Sequence, residues 1–193
     1  MNKKNMNRRD YLKVSATAAA YTLIFGGVAT TIHACKADES LDWTPKFFTK
    51  DEALLMADVV ECIIPKTDTP GAKEALVDRF IDSNIANNFT EDLQVLFREG
   101  LTLFDEKSKA DFKKKFVDLS TEDQNSVMQS MVDESQNHEG EYPHIFNAVR
   151  DLTVYGFFTS EVGAKSCLIY DPIPGDYIGC IDYSEINGVW ALR

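Results

Sequence analysis

Apolar residues recur along most of this chain with the 3.6-residue period of amphipathic helices, and almost nowhere with the strict alternation of half-buried strands. Thr49-Lys50-Asp51-Glu52 reads as a capping box, the Thr oxygen accepting from the third helical amide while Glu52 reaches back. The helix it opens carries Leu55, Val59, Cys62 and Ile63 on one face, and Pro65 ends it because proline cannot continue the hydrogen-bond ladder. Lys66 to Ala72, KTDTPGA, has turn chemistry and leads into a second helix over about 72–87, with Val77, Phe80, Ile81 and Ile85 inward. Thr90 caps a third, whose stripe of Leu93, Leu96, Phe97, Leu101 and Phe104 runs to about Glu106. Phe112 and Phe116, four apart and so on one helix face, flank Lys113 to Lys115, a basic run that reads as a solvated face.

Ser120, with a carboxylate at Asp123, caps a helix bearing Val127, Met128, Met131 and Val132, the methionines serving as core filler. Ser135 to Tyr142, SQNHEGEY, is a loop, and Pro143 suits the first turn of a helix that buries Ile145, Val149, Leu152 and Gly156. A short helix over about 160–169 follows. Beyond Tyr170, DPIPGDYIGCIDY holds two Pro and two Gly in thirteen residues, which excludes a continuous helix; strand alternation is suggested only around Tyr177 to Tyr183. The pattern predicts an all-α fold, an irregular bundle of about five to seven helices with an extended aromatic and Pro/Gly-rich C-terminal tail.

The N-terminus has a different character. Asn7-Arg8-Arg9-Asp10-Tyr11-Leu12-Lys13 nearly fills the twin-arginine export pattern, with Asn7 in place of Ser or Thr and Tyr11 in place of Phe. Arg8, Arg9, Tyr11, Leu12 and Lys13 are its candidate signal residues. The 19 uncharged residues from Val14 to Ile32 could span a bilayer on length alone, but only seven are bulky and apolar, which fits a cleavable signal better than a permanent anchor. Ile32-His33-Ala34-Cys35 resembles a lipoprotein box, with His33 atypical, and makes Cys35 the candidate lipidation site; ordinary cleavage and no cleavage stay open. The expected organisation is a signal over 1–34, a short tether over 35–46 and a single helical domain over 47–193, exported folded, periplasmic and membrane-tethered.

Charge narrows the partners. The chain carries 31 acidic and 20 basic residues, net −11, and residues 1–34 hold five of the basic residues and one acid, so removing them leaves −15. Such a chain repels phosphate backbones, and nucleic-acid binding is not expected. Beyond Cys35 the cysteines are Cys62, Cys167 and Cys180, without C-x-x-C spacing; buried free thiols and one disulfide are equally open.

Motifs that specify catalysis or a phosphate, nicotinamide, haem or zinc site are absent. His138 and His144 read as surface residues, and acidic residues are too abundant for any one pair to mark acid–base chemistry. What stands out is a run of aromatics, Tyr155, Phe157 and Phe158 with Glu161, then Tyr170, Asp171, Pro172 and Tyr177. Aromatics concentrate at the centres of protein interfaces, which makes these a candidate partner surface; a tail packed on its own domain is the plainer reading, and both can hold.

FFTKDEALLMADVVECIIPKTDTPGAKEALVDRFID, YGFFTSEVGAKSCLIYDPIPGDYIGC and the closing GVWAL together give the chain its most specific resemblance. It resembles the gluconate 2-dehydrogenase subunit 3 family, most specifically in Ile64 to Ala72, Gly156 to Gly163 and the Asp171-Pro172-x-Pro174-Gly175 turn. Thr67, Asp68 and Pro70 of the first block join the candidate partner surface. The resemblance implies a small subunit with no catalytic residue and no cofactor of its own. Its large partner would be an FAD-dependent dehydrogenase of the glucose-methanol-choline type acting on a sugar or sugar acid, a haem c subunit taking the electrons onward. The small subunit would support maturation of the large one and carry the export signal for both. The alternatives are a free-standing lipid-anchored module with Tyr155, Phe158 and Tyr177 lining a ligand pocket, and an independent enzyme.

Overall fold

A computed structural model describes residues 41–169 and, in the tail, Ile173, Gly175, Cys180, Asp182, Ser184, Gly188 and Val189. Arg8, Arg9, Tyr11, Leu12, Lys13, Cys35, Tyr170, Asp171, Pro172 and Tyr177 lie outside the described residues. The described part is all-α. It comprises α1 (Lys50–Ile63), α2 (Val77–Asn88), α3 (Glu91–Phe112), a 3-10 turn (Phe116–Asp118), α4 (Thr121–Gln136), α5 (Ile145–Thr159) and α6 (Glu161–Cys167). Helices α1 and α5 are central: α1 packs on α2, α4, α5 and the 3-10 turn, and α5 packs on α1, α2, α3, α4 and α6. No described helix is long and apolar enough to cross a membrane.

Local chemistry sets most helix ends. Both halves of the Thr49 capping box form, Glu52 N donating to Thr49 Oγ1 and Thr49 N donating to Glu52 Oε2 at 2.8 Å. Ser120 caps α4 by accepting from Asp123 N. Thr90 occupies the cap position of α3 with extended backbone, but its side chain makes no capping bond.

Two boundaries depart from the pattern. The second helix begins at Val77 rather than near Ala72, because residues 72–76 form one separate turn closed by a Schellman motif. Val77 N donates to Ala72 O and Leu76 N to Lys73 O, with Leu76 left-handed at φ 55°, a conformation that costs a non-glycine residue about 1 kcal/mol. The third helix continues past Glu106 to Phe112. Buried Ser108 bonds back to Phe104 O, and Asp105 receives Phe116 N at 2.9 Å, so packing sustains the last turns after the apolar spacing lapses. Since α3 stops at Phe112, with Lys113 left-handed, Phe112 and Phe116 do not share a helix. Phe116 is buried in the 3-10 turn, edge-on to Phe104, and Lys113 to Lys115 are exposed as expected.

The core joins Leu55, Met56, Val59 and Val60 of α1 to Val77, Ile81 and Ile85 of α2, Phe97, Leu101 and Phe104 of α3, Met131 of α4 and Val149 and Phe157 of α5. Leu96 is exposed and Leu93 only half-buried, so the N-terminal part of the expected α3 stripe does not join it.

The segment ahead of α1 is fastened to this core. Asp82, 1% exposed on α2, accepts backbone N–H groups from Lys46, Phe47 and Phe48 at 2.8–2.9 Å. Arg98 of α3 donates to Phe47 O at 2.8 Å and lies over the Phe47 ring, while Arg79 pairs with Asp42 and sits over Trp43. Residues 41–46, expected to belong to the tether, therefore rest on the helical body.

Asp78, also buried in α2, has a raised carboxyl pKa, chiefly through burial, against the pull of nearby amides, Arg79 and Lys73. A raised folded-state pKa means that the native chain binds more protons than the unfolded one just above pH 3.8, so this group's contribution falls as pH climbs through that window. Asp78→Asn is expected to raise the melting temperature at pH 7 and to lose that advantage below the ordinary carboxyl pKa; thermal scans across pH check it.

Candidate functional site

Two surface features are built with unusual care. The first is the turn after α1. An acid in the last turn of a helix faces unfavourable carbonyl dipoles unless something compensates. Glu61 is compensated by the chain that follows it: Oε1 accepts from Lys66 N at 2.9 Å and Oε2 from Lys73 N at 3.0 Å. Ala72 N closes the turn on Ile64 O at 2.8 Å, and Thr67 and Thr69 bond to each other across its tip. A Cβ on Gly71 would stand 2.4 Å from Glu61 Oε1 and 2.7 Å from Lys66 N, so only glycine fits. Ion pairs from Lys66 to Glu74 and from Lys73 to Asp58 brace the outside. Thr67 and Asp68 stand exposed at the tip, and Pro70 is half-buried beneath them.

The second is the corner from α5 to α6. Gly156 sits where α5 crosses α2, and a Cβ there would meet the Phe80 ring at 2.6 Å and Val77 at 3.2 Å. Gly163 lets the start of α6 come so close that a Cβ would strike Phe157 O. Ser160 serves both helices, its hydroxyl donating to Phe157 O at 2.7 Å and accepting from Gly163 N at 3.0 Å. Beyond α6, Ile169 N donates to Val189 O at 2.7 Å.

This corner sorts the aromatic run by direction. Phe157, expected on the partner surface, is corrected to a core residue, 1% exposed, because helical geometry turns it inward from its neighbours. Tyr155 is 61% exposed, and Phe158 and Val154 are exposed with it. Tyr155 leans on Phe80 with ring centroids 5.9 Å apart, and Phe158 stands edge-on to Phe157 at 5.3 Å. Glu161 is exposed and paired with Lys165, which holds its carboxyl below the usual range. Leu76, exposed one turn ahead of Phe80, adds a further apolar side chain.

The titratable residues offer less. His144 is corrected from surface to buried: it is the N-cap of α5, its Nδ1 accepting from Phe146 N at 3.2 Å. Burial, then the neighbouring His138, lowers its pKa. His138 is exposed, with its ring 5.4 Å from that of His144. Cys62, Cys167 and Cys180 are all free thiols. Burial pushes the Cys62 thiol up to about 11, with Asp58 and Glu61 adding to the effect, so it is not a nucleophile at neutral pH. Among the described residues no group of three or more His, Cys, Asp or Glu could hold a metal ion. A depression of about 400 Å³ between α1 and α3 is bordered by Glu52–Arg98, Asp105–Lys109 and Asp51–Lys115 ion pairs.

Glu61 and Asp82 were not singled out in the sequence. Glu61 left a local trace, an acid four residues before a helix-ending proline; Asp82 acts across more than thirty residues of chain and left none.

No curated protein and no solved structure matches the chain. The family model for gluconate 2-dehydrogenase subunit 3 matches residues 50–175, which takes in every described helix, the Glu61-centred turn and the α5–α6 corner. On that match, the chain belongs to the gluconate 2-dehydrogenase subunit 3 family.

Proposed function

We propose that this chain is the non-catalytic accessory subunit of an FAD-dependent dehydrogenase of the glucose-methanol-choline type, which it helps to mature and escorts across the membrane. The dehydrogenase holds the FAD, oxidises a sugar or sugar acid and passes its electrons to a haem c subunit. The observation that carries the reading is the α5–α6 corner, where buried glycine contacts at Gly156 and Gly163 fix a helix that leaves Tyr155 and Phe158 facing outward. Large aromatic surface on a rigid frame suits a lasting protein partner, because little side-chain entropy is lost when it is covered.

Arg8, Arg9, Tyr11, Leu12 and Lys13 direct the folded pair to the twin-arginine export route, and Cys35 takes the lipid that tethers it on the periplasmic side. A chain without catalytic motifs that uses the route reserved for folded proteins makes sense as the carrier of an export address for something else. Replacing both Arg8 and Arg9 by Lys is expected to leave this chain and the dehydrogenase in the cytoplasm, read by fractionation and by periplasmic dehydrogenase activity. Undiminished export of the dehydrogenase alongside the Lys-Lys chain would overturn the proposal.

A further inference from the structure

A groove runs between α3 and the start of α5. Leu93, Leu96, Gly100 and Leu103 form its α3 side, and Tyr142 and Ile145 stand opposite, around a volume of about 520 Å³. A neighbouring depression of about 440 Å³ shares Leu93, Leu96, Glu99 and Tyr142 and extends the groove to Thr90. From Thr90 to Leu103 that is about 20 Å of helix face at 1.5 Å per residue. Gly100 sets the depth, since its missing side chain lets Ile145 approach: a Cβ there would lie 2.8 Å from Ile145 Cβ.

The spacing of Leu93, Leu96, Gly100 and Leu103 is that of a face made to lie against another helix, yet Leu96 and Tyr142 are 40% and 49% exposed. Among the described residues, the charges around this apolar floor are of one sign. Asp92, Glu99 and Glu141 border it, no described Lys or Arg lines it, and the imidazoles of His138 and His144 lie beside it. None of those three acids enters an ion pair among the described residues. A second copy of this acidic chain would bring like charge to the rim, and an anionic lipid surface would be repelled.

We infer that this groove is a helix-docking site for another protein chain, and that it takes an amphipathic helix whose apolar face is flanked by Lys or Arg. The apolar face fills the floor between α3 and α5, and the basic flanks pair with Asp92, Glu99 and Glu141, the helix-in-groove mode of recognition. The site lies on different residues from the Tyr155–Phe158 surface and does not depend on the identity of the dehydrogenase.

The test uses the purified full chain and two synthetic helical peptides with the same leucine pattern, one flanked by lysines and one by glutamates, read by fluorescence anisotropy. The lysine peptide is expected to bind at least about 10-fold more tightly and to weaken with added salt. Leu96→Ser, at an exposed position, is expected to weaken it about 10-fold, and Glu99→Lys with Glu141→Lys to reverse the preference. Absence of binding by either peptide, equal binding unaffected by the charge reversal, or a dimer of this chain dispersed by Leu96→Ser would each overturn the inference. Since no dehydrogenase is present, such a failure leaves the co-export result untouched.

Discussion

Asp82→Ala is expected to lower the unfolding free energy by about 3–5 kcal/mol, a large loss for a change that leaves the apolar core untouched. The carboxylate accepts three backbone amides at 2.8–2.9 Å in a site that is 1% exposed. Bonds to a charged acceptor contribute roughly 1.5–3 kcal/mol each, and the substitution also leaves donors without partners, one of them on buried Phe48. Since domains of this size have about 5–15 kcal/mol in hand, the loss is a sizeable fraction of the whole. It should also be local in its first effect: amides 46–48 should lose hydrogen-exchange protection before the helices do. Asp82→Asn should fall between, because its amide nitrogen cannot accept. Urea unfolding measures the loss, and a change below about 1 kcal/mol would show that the segment is held by Phe47, Phe48 and Arg98 instead.

The second large effect concerns association. Tyr155→Glu with Phe158→Glu is expected to reduce affinity for the proposed dehydrogenase partner by at least about 100-fold, since buried interface aromatics commonly contribute 2 kcal/mol or more each and tenfold is about 1.4 kcal/mol. The fold should hardly notice, because both side chains are exposed and substitutions at such positions usually stay within about 0.5 kcal/mol. Phe157→Glu is the contrasting control: the same chemistry one residue away should unfold the protein, since Phe157 is in the core. Co-purification with the dehydrogenase, alongside a thermal melt of each variant, separates lost binding from lost folding. Retained binding by the double variant would move the interface elsewhere on the body.

The sequence was most legible where structure is decided within a few residues. The Thr49 box, the Ser120 cap and the stop at Pro65 all rest on contacts three or four positions apart, and all form. Legibility failed where distant residues decide. Nothing in ALVDRF announces a left-handed leucine, so the periodicity places the start of α2 one turn too early. The polar run after Glu106 hid six further residues of α3, which Ser108, Asp105 and Phe116 sustain. In the candidate surface, composition found the aromatic cluster, but only helix phase divides Phe157 from Tyr155 and Phe158. The Leu93–Leu96 stripe errs in the opposite sense: its period predicts a buried face, and the structure leaves it open as one wall of a groove.

On the proposed function, this small helical subunit is needed to deliver an active flavoprotein. Its most direct measurement is periplasmic FAD-dependent dehydrogenase activity when the large subunit is expressed with and without this chain. Activity should appear in the periplasm only when both are present. Equal activity in the absence of this chain would show that the dehydrogenase matures and crosses the membrane without it.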